Sequence, residues 1–145
     1  MELRRVPAAE RRLSALVTLA ALAAAALLAL APPAAYPIPV CPFHALTGLF
    51  CPGCGTLRAG HHLLGGGLAA AVGHNALFVL LLPLFAFWGL GLAGAAVAGR
   101  TWRSVSTPAL GWALLAAIVA FWVVRNLPWA AFDVLRPTAG NPLLG

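Results

Sequence analysis

"LSALVTLAALAAAALLALA", residues 13–31, decides the fold. Its 19 residues carry no charge. The only polar members, Ser14 and Thr18, can return their hydroxyl hydrogen bonds to a helix backbone. About 20 apolar residues in a helix cross ~30 Å of hydrocarbon, so this run is long enough to span a bilayer. A second run, 76–99, contains "LFVLLLPLFAFWGLGLAG", in which Phe78, Phe85, Phe87 and Trp88 supply bulk and Pro83 is expected to bend the helix. The third, "PALGWALLAAIVAFWVV" at 108–124, has 17 residues and reaches a comfortable spanning length if it starts at Val105.

The whole composition agrees with these runs. Of 145 residues, 62% are hydrophobic and 8% charged, and the mean hydropathy is +0.94, far from what a soluble domain of this size shows. The expected fold is an all-α integral membrane protein, a single membrane domain over 1–145, with three transmembrane helices at about 13–31, 76–99 and 105–124. A cleaved signal peptide is the competing reading of the first run, since "MELRRVPAAERR" resembles a charged leader. The apolar segment exceeds the usual length of about 7 to 15 residues, however, and Pro32-Pro33 follow the cleavage candidate Ala29-Leu30-Ala31, so a retained anchor is expected.

The net charge of +6 comes from nine arginines and no lysine. They lie at the ends of apolar runs and form no basic face interleaved with aromatics, which excludes a nucleic-acid partner and makes them topology signals. Arg4, Arg5, Arg11, Arg12, Arg100 and Arg103 fall on one side, against Arg58, Arg125 and Arg136 on the other. That bias places a basic 1–12 segment in the cytoplasm of a multi-pass cell-membrane protein, with the 32–75 loop and the 125–145 tail outside. Thiols outside the cytoplasm are usually oxidised.

The loop changes character along its length. "PPAAYPIPV" at 32–40 is a stiff, extended exit from the membrane, with Tyr36 suited to the interface. All three cysteines and His44 then fall within "CPFHALTGLFCPGCGTLR", residues 41–58. Leu57, Leu64 and Leu68 recur at helical spacing, with Arg58, His61 and His62 on another face, so 56–64 reads as a short interfacial helix. Gly65-Gly66-Gly67 ends it, and a further helical piece at 68–72 leads toward the second span.

"CPFHALTGLFCPGCGTLRA", "LLGGGLAAAVGHNAL" and the late "RNLP" together resemble a family of small bacterial membrane proteins called domain of unknown function 2752. That family looks like a Cys-Pro, Thr-Gly, Cys-Pro-x-Cys-Gly-x-x-Arg signature followed by a Gly-Asp pair, Asn-Pro-Leu and Arg-Asn-Leu-Pro. The resemblance covers about 41–128, with two departures: Gly67 stands where the family tends to have aspartate, and Ala76 where it tends to have proline. It implies an architecture and leaves the activity to the residues.

Three readings of the cysteines are open. As a redox pair, Cys51 and Cys54 would sit near the start of the 56–64 helix with Arg58 one turn away as thiolate stabiliser, although no βαβ pattern surrounds them. As a metal knuckle, Cys41, His44, Cys51 and Cys54 would form a Cys3His zinc site, with His61 or His62 able to replace His44. As a staple, two of Cys41, Cys51 and Cys54 would form a disulfide and leave one thiol over. An external loop favours the staple, in a structural or interaction subunit with no cofactor. The thiol-redox or zinc-binding protein is the alternative.

The remaining polar residues offer no assembled chemistry. There is no Ser/His/Asp set, phosphate loop or HExxH, and no catalytic residue is assigned. His61-His62 read as solvated, His74-Asn75 as the cap of the second span, and Asp133 as a local partner of Arg136 or Arg125. Arg125 is expected to snorkel to lipid phosphate beside Trp129, an interface anchor, so membrane lipids are expected contacts. Gly91 with Ala95 and Gly94 with Ala98 are small-xxx-small pairs that suit a homo-oligomer or a larger membrane partner, or else packing within the chain.

Overall fold

The computed structural model of the protein describes residues 3–31, 41–102 and 107–137. The proline-rich exit with Tyr36, Arg103, the Val105 start and the end of the tail lie outside the described residues. Among the described residues three helices are long and apolar enough to cross a membrane, and the protein is an all-α, multi-span membrane protein.

The first span, α1, is Ala8–Leu30. It begins five residues earlier than the apolar run, because Ala8, Ala9, Glu10, Arg11 and Arg12 are good helix formers behind Pro7. Its 23 residues measure ~34 Å at ~1.5 Å per residue. The cysteine stretch opens with α2, Pro42–Thr47, a short helix inside the expected loop; Pro42 suits its first turn. Next comes α3, Thr56–Leu64, at the expected place, and the Gly65 amide closes it on the His61 carbonyl at 3.1 Å.

The long helix α4, Leu68–Ala98, has 31 residues, more than a bilayer requires, and it is broken. The break is at Asn75 (φ −159°, ψ 93°), the only position inside α4 with non-helical dihedrals, and not at Pro83 where the sequence placed the bend. Asn75 Oδ1 accepts the Phe78 amide at 3.0 Å, so the side chain caps the spanning half of α4 as the sequence suggested. The last span, α5, is Pro108–Asn126. Thr107 Oγ1 accepts the Leu110 amide at 3.2 Å and Pro108 takes the first helical position, which caps the helix there. A 3₁₀ turn, Ala130–Leu135, follows.

Beyond α4 the chain forms a small antiparallel pair between β1, Leu3–Arg5, and β2, Arg100–Trp102. Arg11 reinforces this junction, donating from Nε to Ala96 O and from Nη2 to Val97 O, both at 2.9 Å. A cation thereby satisfies the last carbonyls of α4 and opposes its dipole.

Packing is inverted relative to a water-soluble bundle. Helix α4 packs on α1 and α3, and α3 also meets α1. The buried apolar side chains are Ala59, Ala71, Leu77 and Ala95, whereas Leu13, Leu16, Leu19, Leu80, Leu90 and Val97 point outward. Small residues let backbones approach while branched chains face lipid, and the buried polar groups Asn75 and Arg125 mark a site. Of the four small residues considered for association, Gly91 and Ala95 are buried within the chain, Gly94 is half-buried and Ala98 is exposed.

Candidate thiol centre

The CPGCG segment forms two overlapping tight turns, with the Cys54 amide bonded to Cys51 O and the Thr56 amide to Gly53 O, each at 3.1 Å. Gly55 then adopts φ +88°, and a Cβ there would lie 2.2 Å from the His74 carbonyl oxygen. Only glycine allows both the backbone sign and the close approach to α4.

Side chains from the spanning helices donate to the carbonyls of this turn. Asn75, at the break in α4, donates from Nδ2 to Pro52 O (2.9 Å), Cys54 O (3.3 Å) and Thr56 Oγ1 (3.0 Å). Arg125, from the last turn of α5, donates from Nη1 to Cys51 O (3.0 Å) and Cys54 O (3.3 Å). Asn126 grips Phe50 as a strand neighbour would, accepting its amide and donating to its carbonyl, both at 2.9 Å. Arg136 holds the end of α5 through Arg125 O at 3.0 Å and also donates to Leu127 O. It pairs with Asp133 at 2.8 Å, as expected.

These contacts gather the cysteines. Cys51 Sγ lies 3.1 Å from Cys54 Sγ and 3.5 Å from Cys41 Sγ, and all three sulfurs fall within 4.8 Å of one another. All three are free thiols. A disulfide needs ~2.05 Å between sulfurs, so no pair stands at bonding distance and the expected staple is not seen. Two thiolates on one tetrahedral zinc, with ~2.3 Å bonds, stand roughly 3.8 Å apart, close to the observed spread.

Cys41 and Cys54 are shifted in opposite directions. Cys41 is lowered, first by the backbone amide of His44 and then by the Cys51 thiol. Cys54 is pushed up to about 12, chiefly by burial and then by hydrogen bonding to Cys51. Cys41 thus becomes a thiolate before Cys54, and Cys54 keeps its proton at physiological pH.

Several residues singled out in the sequence are placed differently. Arg125 does not reach lipid phosphate: it is 0% exposed, between the rings of Phe121 (4.9 Å) and Phe50 (5.7 Å), with Nε and Nη2 buried and without hydrogen-bond partners. A buried turn with free carbonyls is a stronger acceptor than a distant headgroup. Arg58 is exposed, so the guanidinium hydrogen-bonded to the CPGC backbone is that of Arg125. His44 stands outside the sulfur group, its Nδ1 3.2 Å from Leu49 O and its ring stacked on Phe50 at 4.5 Å. His61 bonds to Leu28 O and ties α3 to α1 instead of facing solvent, while His62 stacks on His74 at 5.0 Å. Trp129 is 61% exposed and stacks on Phe132. Sequence reading missed the clamping roles of Asn75 and Asn126; the signal was a polar amide at the edge of each apolar run.

The fold and site define a multi-span membrane protein with a three-cysteine cluster clamped from its own spans. Residues 41–89 match the model of the family described as Protein of unknown function (DUF2752). The match takes in the cysteines, α3 and the break at Asn75, and it stops short of Arg125 and Asn126. No curated protein and no solved structure matches the chain.

Proposed function

We propose that the protein is a membrane-embedded thiol centre that binds one thiophilic metal ion, zinc, through Cys41, Cys51 and Cys54. The convergence of three sulfurs within 4.8 Å carries this reading. Three protein ligands leave a fourth tetrahedral position open, the feature that separates reactive zinc sites from closed structural ones. Charge supports it as well: three thiolates around a divalent ion leave one net negative charge, and the buried guanidinium of Arg125 lies against the same turn. The ion would act as a Lewis acid toward whatever occupies that position. The chain's own residues hold the turn rigid and give up the protons of the thiols. Cys54, pushed up to about 12, would have to give up its proton to such an ion, so affinity rises with pH. On the arginine bias the N-terminus is cytoplasmic and the thiol centre lies outside.

A second reading is a disulfide in a structural or interaction subunit. It is favoured by Cys51 touching both other thiols, so that either neighbour could bridge to it. Metal analysis of detergent-purified protein, prepared without chelator and dialysed against zinc, separates the two. We expect about one zinc per wild-type chain and almost none for Cys51→Ser. A metal-free wild type whose mass is two hydrogens short would establish the disulfide instead.

A further inference from the structure

We infer that the end of the bundle opposite the thiols holds the phosphate of an anionic phospholipid between Arg5, Arg11 and Arg100. A cavity of about 370 Å³ opens where β1, β2 and the ends of α1 and α4 meet, and these three arginines from separate elements line it. The register of the strand pair is the second observation. Arg5 stands directly opposite Arg100 in an antiparallel ribbon of three residues per strand. Like charges in that position repel. An anion between the two guanidiniums converts the repulsion into a bidentate grip.

Arg11 completes the floor. Two of its nitrogens are committed to Ala96 O and Val97 O, while Nη1 lies on the Gly99 side, 3.7 Å from where a Cβ would sit. It contributes fixed charge rather than a mobile side chain. The cavity sits at the ends of two spans, where a headgroup phosphate lies when its acyl chains run along the outward-facing leucines of α1. The ligand class is therefore a phosphodiester headgroup such as phosphatidylglycerol, with inorganic phosphate as the competing source of the same chemistry.

The test uses full-length protein in nanodiscs containing 10-fold more phosphatidylcholine than phosphatidylglycerol, about the dilution needed to reveal selection, with retained lipid read by native mass spectrometry. Wild type should retain phosphatidylglycerol. Arg5→Gln with Arg100→Gln should lose about thirtyfold in retention, and Arg12→Gln, an exposed arginine on the same helix, no more than about fivefold. Far-ultraviolet dichroism checks that each variant keeps its helices. Equal losses in Arg12→Gln and the double variant would overturn the site in favour of diffuse surface charge. Retention by a folded double variant would overturn it as well. Displacement of the lipid by millimolar inorganic phosphate would assign the cavity to the free anion and overturn the lipid.

Discussion

At the thiol end of α4, polar side chains turn inward: Arg125 and Asn75 are essentially unexposed, and Arg125 Nη1 and Asn75 Nδ2 donate to the backbone of one turn. At its other end Arg5, Arg11 and Arg100 stay at the surface, and only Arg11 reaches helix carbonyls. The residue type is the same, and the difference lies in what each backbone leaves unpaired. A CPGCG turn folded against helices exposes carbonyls that no water can reach, so it recruits the cation and the amides. A helix end at the interface can use water and keeps its arginines available for other anions.

That contrast can be broken with paired substitutions. The largest effect is expected from Gly55→Ala, whose Cβ meets the His74 carbonyl oxygen while φ is positive, at a cost of about 4 kcal/mol. Gly99→Ala at the other end also has positive φ, but no atom lies closer than 3.7 Å, so about 1 kcal/mol is expected. Chemical unfolding in detergent measures both, and equal costs would remove the distinction between the ends. Next comes Arg125→Met, which removes the Nη1 donor from the carbonyls of Cys51 and Cys54 and should cost about 3 kcal/mol, against about 1 kcal/mol for Arg11→Met. The smallest effect concerns reactivity. In metal-free protein at neutral pH, alkylation should reach Cys41 before Cys54, because the first is lowered and the second stands at about 12. Each added pH unit should still speed Cys54 about tenfold. Arg58→Gln should leave the order unchanged, since the buried guanidinium beside the turn is that of Arg125; a reversed order would reinstate Arg58.

Much of the fold was legible because lipid simplifies the code. Uncharged apolar runs located all three spans, and Leu57 and Leu64, with Gly65-Gly66-Gly67 after them, located α3. Asn75 was legible as a cap, but the break in α4 was not, since Pro83 is the stronger local signal. What held Asn75 out of the helix was tertiary: its Nδ2 bonds to residues 19 to 23 positions earlier. The grouping of the cysteines was legible from spacing, whereas the burial of Arg125 was not. An arginine ending an apolar run looks the same whether it snorkels outward or closes over a turn 71 to 74 residues away.

The most direct measurement is the number of alkylatable thiols per chain, read by intact mass after cells are quenched in acid and the protein is denatured without reductant. Acid releases a bound metal and traps thiols, so a metal-thiolate centre predicts that all three cysteines, Cys41, Cys51 and Cys54, carry the label. A single labelled cysteine would contradict the account, because it requires a disulfide between the other two in the cell.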